Sequence, residues 1–243
     1  MAAQLVGITA VLIFTAYFVK GFTGFGPALI LIPTLSLIFT PQHAIFLTTI
    51  FDLIAGSILL FSVRKQVQWK IVFLVLLAFF PGAYAGAHLM TALPIPVFKK
   101  VLGLFVLFFI GLILWQSTRA ERRAPTRKSG YLQFLFSLLA GFGGGLVGIS
   151  GPLLVIYFKL NYPKSFFRTQ LIAVFAFGAA WRLFLYRSLG VTIHLTFWQW
   201  LVFLFTLLAA IATGSFIQLH VNEQKFDRIV ALILFIPCFT LML

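Results

Sequence analysis

Long apolar runs separated by short polar clusters are the feature that most limits how this chain can fold. Most runs are about 15 to 24 residues long, which is close to the length that a helix needs to cross about 30 Å of hydrocarbon. Hydrophobic residues make up 62% of the chain and charged residues only 9%. Soluble domains are roughly 45–50% apolar and about 25% charged. We therefore expect the chain to fold in a lipid bilayer.

The runs predict an all-α integral membrane protein with about eight transmembrane helices. The stretch from residue 4 to residue 40 is too long for one crossing and short for two, which favours a discontinuous helix or a re-entrant segment there. The apolar runs lie at residues 5–19, 28–39, 44–63, 71–93, 101–115, 131–160, 169–186, 196–219 and 229–243.

The chain divides into two halves with similar patterns. A basic linker at residues 117–129 separates a first membrane repeat, residues 1–116, from a second, residues 130–243. Each half opens with a glycine-rich segment, at residues 21–24 and 141–144, and these segments are 120 positions apart. We predict two repeated four-helix halves, each opening with a helix that breaks at these glycines. Parallel and inverted arrangements of the halves both remain open.

The net charge of +14 reflects membrane topology rather than nucleic-acid binding. The cations lie in breaks between apolar runs, where they mark cytoplasmic loops or extend from helix ends towards the interface. With eight crossings, the loops that hold Arg64, Lys65 and the linker carry more cations than the alternate loops. This distribution places both termini inside, but re-entrant segments would change the parity.

The two glycine-rich segments, residues 21–27 and 141–152, are candidates for an anion site. Backbone N–H groups at the start of a helix attract anions, and glycine lets a ligand approach the backbone closely. The alternative is that the glycines only allow tight helix packing. The predicted substrate-binding residues in these segments are Gly21, Thr23, Gly24, Gly26, Gly141, Gly143, Gly144, Gly145, Ser150 and Gly151.

Two charged residues lie inside apolar runs, Asp52 and Arg182. A charged group at mid-membrane is costly and usually faces a partner or a cavity. We predict that Arg182 contacts the substrate and that Asp52 binds a coupling proton. Arg182 could instead reach the interface near Arg187, Asp52 could form a structural hydrogen bond, or the two could pair with each other. Four polar residues at matched positions are further candidates for substrate binding: Thr48, Thr49, Thr169 and Gln170.

The sequence contains few of the motifs and residues that an enzyme requires. It has no Walker A motif, no nucleophile elbow and only four acidic residues. The single cysteine, Cys238, and scattered histidines exclude the usual zinc patterns. We therefore predict a protein that is not an enzyme and has no catalytic residues, metal or cofactor.

The segments GFTGFGPALILIPTLSL and GFGGGLVGISGPLLVIYF, with a basic linker between two four-helix units, resemble the TauE/SafE family of sulfite exporters. The resemblance implies a duplicated bundle of about eight helices that carries sulfite or organosulfonate anions, driven by an ion gradient. Phe25 and Pro27 stand where a more continuous glycine run is common in the family. The glycines that match the two family motifs are Gly21, Gly24 and Gly26, and Gly141, Gly144 and Gly151.

Together these features predict a secondary transporter that moves a small anion, sulfite or an organosulfonate, across a bacterial-type inner membrane by coupling to a proton gradient. Its expected partners are that anion and the lipid bilayer, with no nucleic acid, and homo-oligomerisation stays open. A passive anion channel and a non-transporting membrane enzyme or subunit are the alternatives.

Overall fold

The structure is a computed structural model, and it describes residues 3–23, 26–119, 130–162 and 164–217. All regular elements within these residues are helices, which confirms the predicted all-α class. The predicted linker lies largely outside the described residues, and so does the last apolar run. The helix before the linker extends through Arg119, so its last three residues, 117–119, fall within the expected linker.

The helices begin and end where the sequence supplies the usual signals. Proline occupies the first turn of several helices, where its missing N–H costs no hydrogen bond. Thr40 caps a helix by accepting a hydrogen bond from the backbone N–H of His43. In chain order the helices are α1 (Ala3–Thr23), α2 (Pro27–Leu35), α3 (Pro41–Val63) with a 3₁₀ turn at Arg64–Gln66, α4 (Trp69–Ala92), α5 (Ile95–Arg119), α6 (Gly130–Val147), α7 (Gly151–Asn161), α8 (Lys164–Ser188) and α9 (Phe197–Ile217).

Six of the described helices are long and apolar enough to cross a membrane: α1, α3, α4, α6, α8 and α9. The chain is thus a multi-pass membrane protein, while the figure of eight crossings stays a prediction. Helices α2 and α7 have 9 and 11 residues, so each spans only about 13–17 Å, roughly half of a bilayer.

The helix breaks lie later in the chain than the predicted positions. Helix α1 continues through Gly21, and the first break ends at Gly26, whose φ of 96° is left-handed. Helix α6 runs without interruption through residues 141–144, and the second break spans residues 148–150 and begins at Gly148, with φ 75°. Each break thus lies within the wider glycine-rich segment, residues 21–27 or 141–152, but not at residues 21–23 or 141–144, which are helical. A glycine pattern gives no position for a break, because glycine is accepted both in a helix that packs closely and in a turn.

The glycines inside α1 and α6 bring pairs of helices into backbone contact. Helix α6 packs along α4, where a Cβ at Gly141 or Gly145 would overlap the carbonyl of Phe79 or Ala83. Helix α1 packs along α9 in the same way, since a Cβ at Gly21 would lie 2.8 Å from the carbonyl oxygen of Ile211. Small residues drive such contacts in membranes, where lipid removes the hydrophobic driving force for helix association.

Helices α3 and α8 cross at the centre of the bundle. At the crossing, a Cβ on Gly56 would lie 3.1 Å from the Cα atom of Ala176, so the two backbones are nearly in contact. The half-length helices α2 and α7 pack beside this pair, α2 on α3 and α7 on α8. This arrangement places both breaks against the central crossing.

We predict that Gly145→Ala lowers the stability of the protein, because the added methyl group overlaps the Ala83 carbonyl and must push α4 and α6 apart. Overpacking of this kind costs about 1–3 kcal/mol. Thermal unfolding of the purified protein in detergent measures the loss. The matched control is Gly111→Ala in α5, where a Cβ meets no atom within 4 Å. Equal melting temperatures for the two variants would contradict the packing role.

Candidate functional site

The two helix breaks meet at a cavity of about 30 Å³ between the helices. The first break contributes Gly26 and the first turn of α2, and the second contributes residues 148–152. Helices α1, α3 and α8 complete the wall with Lys20, Asp52 and Arg182, together with Phe175. The volume exceeds the roughly 10–15 Å³ that one water molecule requires, so the cavity suits a compact ligand.

Two helix N-termini line this cavity. Helix α2 begins after Gly26, which has no side chain to cap it, and helix α7 begins after Ser150, whose side chain makes no capping hydrogen bond. The first turn of a helix carries N–H groups with no acceptor within the helix, and it has a partial positive charge. Both helix starts therefore favour a negatively charged ligand.

Three charged side chains meet beside the helix starts. The ammonium of Lys20 donates a hydrogen bond to Oδ1 of Asp52 at 2.7 Å, and it also lies 3.4 Å from the Asp52 backbone carbonyl. The Nη2 atom of Arg182 lies 3.6 Å from Oδ2 of the same carboxylate, which is longer than a normal hydrogen bond. All three residues are buried. Thus one carboxylate faces two cations, and the paired arrangement that the sequence left open is present.

The rest of the Arg182 guanidinium holds the second break together. Its Nη1 atom donates to the backbone carbonyls of Gly148 at 2.9 Å and Gly144 at 3.3 Å. The hydroxyl of Tyr186 donates to the carbonyls of Gly144 and Gly145. Carbonyls at a helix C-terminus have no partner within the helix, and a cation there also interacts favourably with the helix dipole. Arg182 is therefore an interior residue and does not extend to the interface.

Tyr17 supports the carboxylate from α1. Its hydroxyl lies 3.2 Å from Oδ1 of Asp52 and 3.1 Å from the backbone carbonyl of Thr48, and the residue is fully buried. Lys20 follows Tyr17 by three positions, so both side chains leave the same face of α1. Two groups on one helix thus position Asp52.

The site carries a net positive charge when all three groups are ionised. Asp52 is the only acidic residue in the described part of the chain, and it faces two cations and two helix starts. No cluster of three potential metal ligands occurs within the described residues. A buried site with excess positive charge attracts an anion, because the charge is weakly screened there.

Five of the predicted site residues line the cavity: Gly26, Asp52, Ser150, Gly151 and Arg182. Gly144 lies directly behind them, since a Cβ there would be 3.1 Å from Cβ of Ser150 and 3.6 Å from Cδ of Arg182. The structure brings these six residues together from four helices and two breaks.

The other predicted site residues have different surroundings. Gly21, Gly141 and Gly145 lie in the helix contacts described above, and Gly143 faces the carbonyl of Ile149 and the ring of Phe105. Their positions agree with the packing alternative. Gly24 lies outside the described residues, and so does the side chain of Thr23.

The four polar candidates of α3 and α8 do not line the cavity. Thr49 donates to the carbonyl of Ile45 within its own helix, and Thr169 is buried in α8. Gln170 binds the turn before α4, where it accepts from the backbone N–H of Gln68 at 2.9 Å. Thr48 lies one turn before Asp52, and its buried hydroxyl has no hydrogen-bond partner within the described residues.

Lys20 is the main residue that sequence reasoning missed. Lys20 is the first cation after an apolar run, which is the usual sign of a helix end. The structure shows that α1 continues past it, so the ammonium stays in the interior beside Asp52. Its position next to a glycine-rich segment was the available signal, because such segments line cavities when they lie at membrane depth.

A sequence profile described as "Sulfite exporter TauE/SafE" matches residues 9–241 of the chain. The chain belongs to the TauE/SafE family. The match covers nearly the whole sequence and confirms the resemblance that the glycine segments indicated. No curated protein and no solved structure matches the chain.

Membership of TauE/SafE confirms the predicted class of function, a membrane protein of a transporter family. It agrees with the prediction that the chain is not an enzyme. The profile spans both breaks, so the residues that line the cavity lie within the part of the chain that matches TauE/SafE.

We predict that Arg182→Gln strongly destabilises this TauE/SafE protein, because it removes the charge from a buried site and the donors from two helix-end carbonyls. Breaking a buried ion pair costs about 3–5 kcal/mol. Unfolding in detergent measures the effect. Arg187→Gln, in the same helix but exposed, is the control and should change stability by less than about 0.5 kcal/mol. Similar losses in both variants would contradict the buried role of Arg182.

Proposed function

We propose that this protein is a secondary transporter that moves a small anion, sulfite or an organosulfonate, across the bacterial-type inner membrane. The observation that carries the proposal is the cavity at which two helix N-termini meet two buried cations and a single carboxylate. Membership of a family described as sulfite exporters supports an oxyanion of sulfur as the substrate.

The chemistry of the cavity suits such a substrate. Sulfite and the sulfonate group both present three oxygen atoms within a small volume, and each oxygen can accept from an N–H donor. The available donors come from several directions: Lys20 from α1, Arg182 from α8, and the first turns of α2 and α7. Ser150 and Gly151, where α7 begins, are proposed to contact the anion together with Gly26 and Arg182.

Helix pairing supports an internal repeat and alternating access. Helix α6 packs on α4 much as α1 packs on α9, so each half supplies one helix to the other. Gly82 meets the carbonyl of Leu138, and Gly214 meets that of Phe18. Phe18 and Leu138 are 120 positions apart, the separation that also relates Gly21 to Gly141. In transporters with repeats, the substrate site lies at the repeat interface and one half rocks against the other.

These contacts favour one alignment of the two halves. They relate Gly82 to Gly214, whereas the sequence pattern of small residues, taken alone, also fits an alignment of Gly86 with Gly214. The difference is four residues, about one helical turn. A shift of one turn keeps the same helix face in contact, so a pattern of small residues fits both alignments.

The decisive experiment is flux of radiolabelled sulfite into proteoliposomes that contain the purified protein, with and without a pH gradient. Taurine, sulfoacetate and sulfate serve as competitors that rank the substrates. Saturable flux that a pH gradient makes concentrative supports a coupled carrier. Flux that stays downhill under every gradient supports a passive channel instead, and no flux above protein-free liposomes rejects transport of these anions.

We predict that Gly144→Leu abolishes sulfite transport without loss of membrane insertion. The new side chain would extend from a position that faces Ser150 and Arg182, so it would fill the space behind the site and displace the donors. Flux and the yield of monodisperse protein are measured together. Gly111→Leu is the control for the added bulk, because no atom lies within 4 Å of that position. Normal transport by Gly144→Leu would reject the proposed site.

A further inference from the structure

Resting on the proposed function, we propose that the Asp52 carboxylate acts as an internal competitor of the substrate: the anion and one proton bind together, because the anion takes over the cations that the ionised carboxylate holds. The proposal assigns a mechanism to the coupling role of Asp52, and it makes Lys20 the cation that passes from Asp52 to the substrate.

The contacts of Asp52 show why the carboxylate and an anion compete. Its two oxygens face Lys20 and Arg182, at 2.7 Å and 3.6 Å, and all three residues line the same cavity. A substrate anion within reach of Lys20 and Arg182 would thus lie next to a buried carboxylate. Two neighbouring anions in a weakly screened interior repel each other, so one of them must be neutralised. A proton on Asp52 removes the repulsion and releases both cations to the substrate.

The two cations are held differently, which gives each a separate part in this exchange. Arg182 is anchored by the carbonyls of Gly144 and Gly148, so its guanidinium stays at the second break whether or not Asp52 is ionised. Lys20 has the shorter contact with the carboxylate and a flexible four-carbon side chain. Lys20 is therefore the cation that changes partner, from Asp52 to the anion.

The groups that face Asp52 support one proton site. Helix α1 presents Tyr17 and Lys20 to it, and helix α8 presents Arg182. Helices α2 and α9 also pack on α3, and their described sequences contain no titratable side chain. Helix α5 touches α3 as well, and those of its cations whose side chains the structure describes, Lys99 and Lys100, do not line the cavity. Within the described residues, Asp52 is thus the only carboxylate that can take up the proton.

Charge balance favours a monovalent anion as the substrate. With Asp52 ionised and no anion bound, the three side chains carry one net positive charge. With Asp52 protonated and a monoanion bound, the side chains carry two positive charges and the anion carries one negative charge, so the net charge of the site is the same. Moving charge into a low-dielectric interior is costly, so a carrier whose site has equal charge with and without cargo meets no additional electrostatic barrier in either state. Anion and proton then travel in the same direction, and transport is electroneutral.

The test uses two measurements in proteoliposomes with labelled sulfite, counterflow and accumulation driven by an acidic exterior. The full-length wild-type protein should show both, with proton entry reported by a pH dye trapped inside. In Asp52→Asn, accumulation should fall by at least about tenfold, towards equilibrium. Counterflow should remain measurable above that of protein-free vesicles. Its pH dependence should fall to the part that the titration of sulfite itself causes.

Lys20→Arg tests which partner of the ion pair carries the proton, because arginine keeps the charge and does not release a proton. It should bind sulfite more weakly and still accumulate it when the exterior is acidic. If Lys20→Arg retains counterflow and no longer responds to the gradient, Lys20 carries the proton and the proposal is wrong.

The remaining outcomes also decide between hypotheses. Absence of counterflow in the wild type rejects the proposed function itself. Wild-type counterflow without sulfite-dependent proton entry rejects the coupling mechanism alone, whether or not Asp52→Asn folds. Accumulation by Asp52→Asn at the wild-type level rejects it too, and so does loss of counterflow in an Asp52→Asn protein that elutes as a monodisperse peak.

Discussion

A helix that ends inside a bilayer leaves backbone carbonyls and N–H groups where no water can reach them, and each must find a partner within the protein. This chain ends α6 and begins α7 in its interior. Arg182 and Tyr186 from α8 supply donors to the carbonyls at the end of α6. The first turns of α2 and α7, in contrast, open onto the cavity. The site forms because the carbonyls at the end of α6 have hydrogen-bond donors, whereas the first turns of α2 and α7 face the cavity.

The buried charges follow from that constraint. Arg182 at the α6 terminus needs a counter-charge, and Asp52 on the crossing helix α3 supplies it. Lys20 then reaches the same carboxylate from α1, which leaves the site with one cation more than it has anions. The close backbone contacts at Gly21, Gly145 and Gly56 hold the helices near enough for these side chains to meet. Packing and electrostatics are therefore linked through the glycines.

Membrane location, helical class and family could all be predicted from the sequence, because each depends on features that a linear pattern contains. Apolar runs indicate that the chain folds in lipid, and the order of the glycine segments indicates the family. Of the predicted site residues, those that line the cavity were found through two general arguments: a charge within an apolar run, and a helix start with glycine and proline. The first argument identified Asp52 and Arg182, and the second identified Gly26, Ser150 and Gly151.

What only the tertiary structure decided is which glycines break a helix and which cations stay inside. Gly141 and Gly148 are the same residue type in one apolar stretch, yet the first packs against α4 within a helix and the second turns the chain with positive φ. In the sequence, Lys20 resembles a cation at a helix end. In the structure, α3 places a carboxylate 2.7 Å from its ammonium. Sequence determines what each residue can do. Contacts between helices distant in sequence select among those options, because their free energies exceed the small local preferences of the chain.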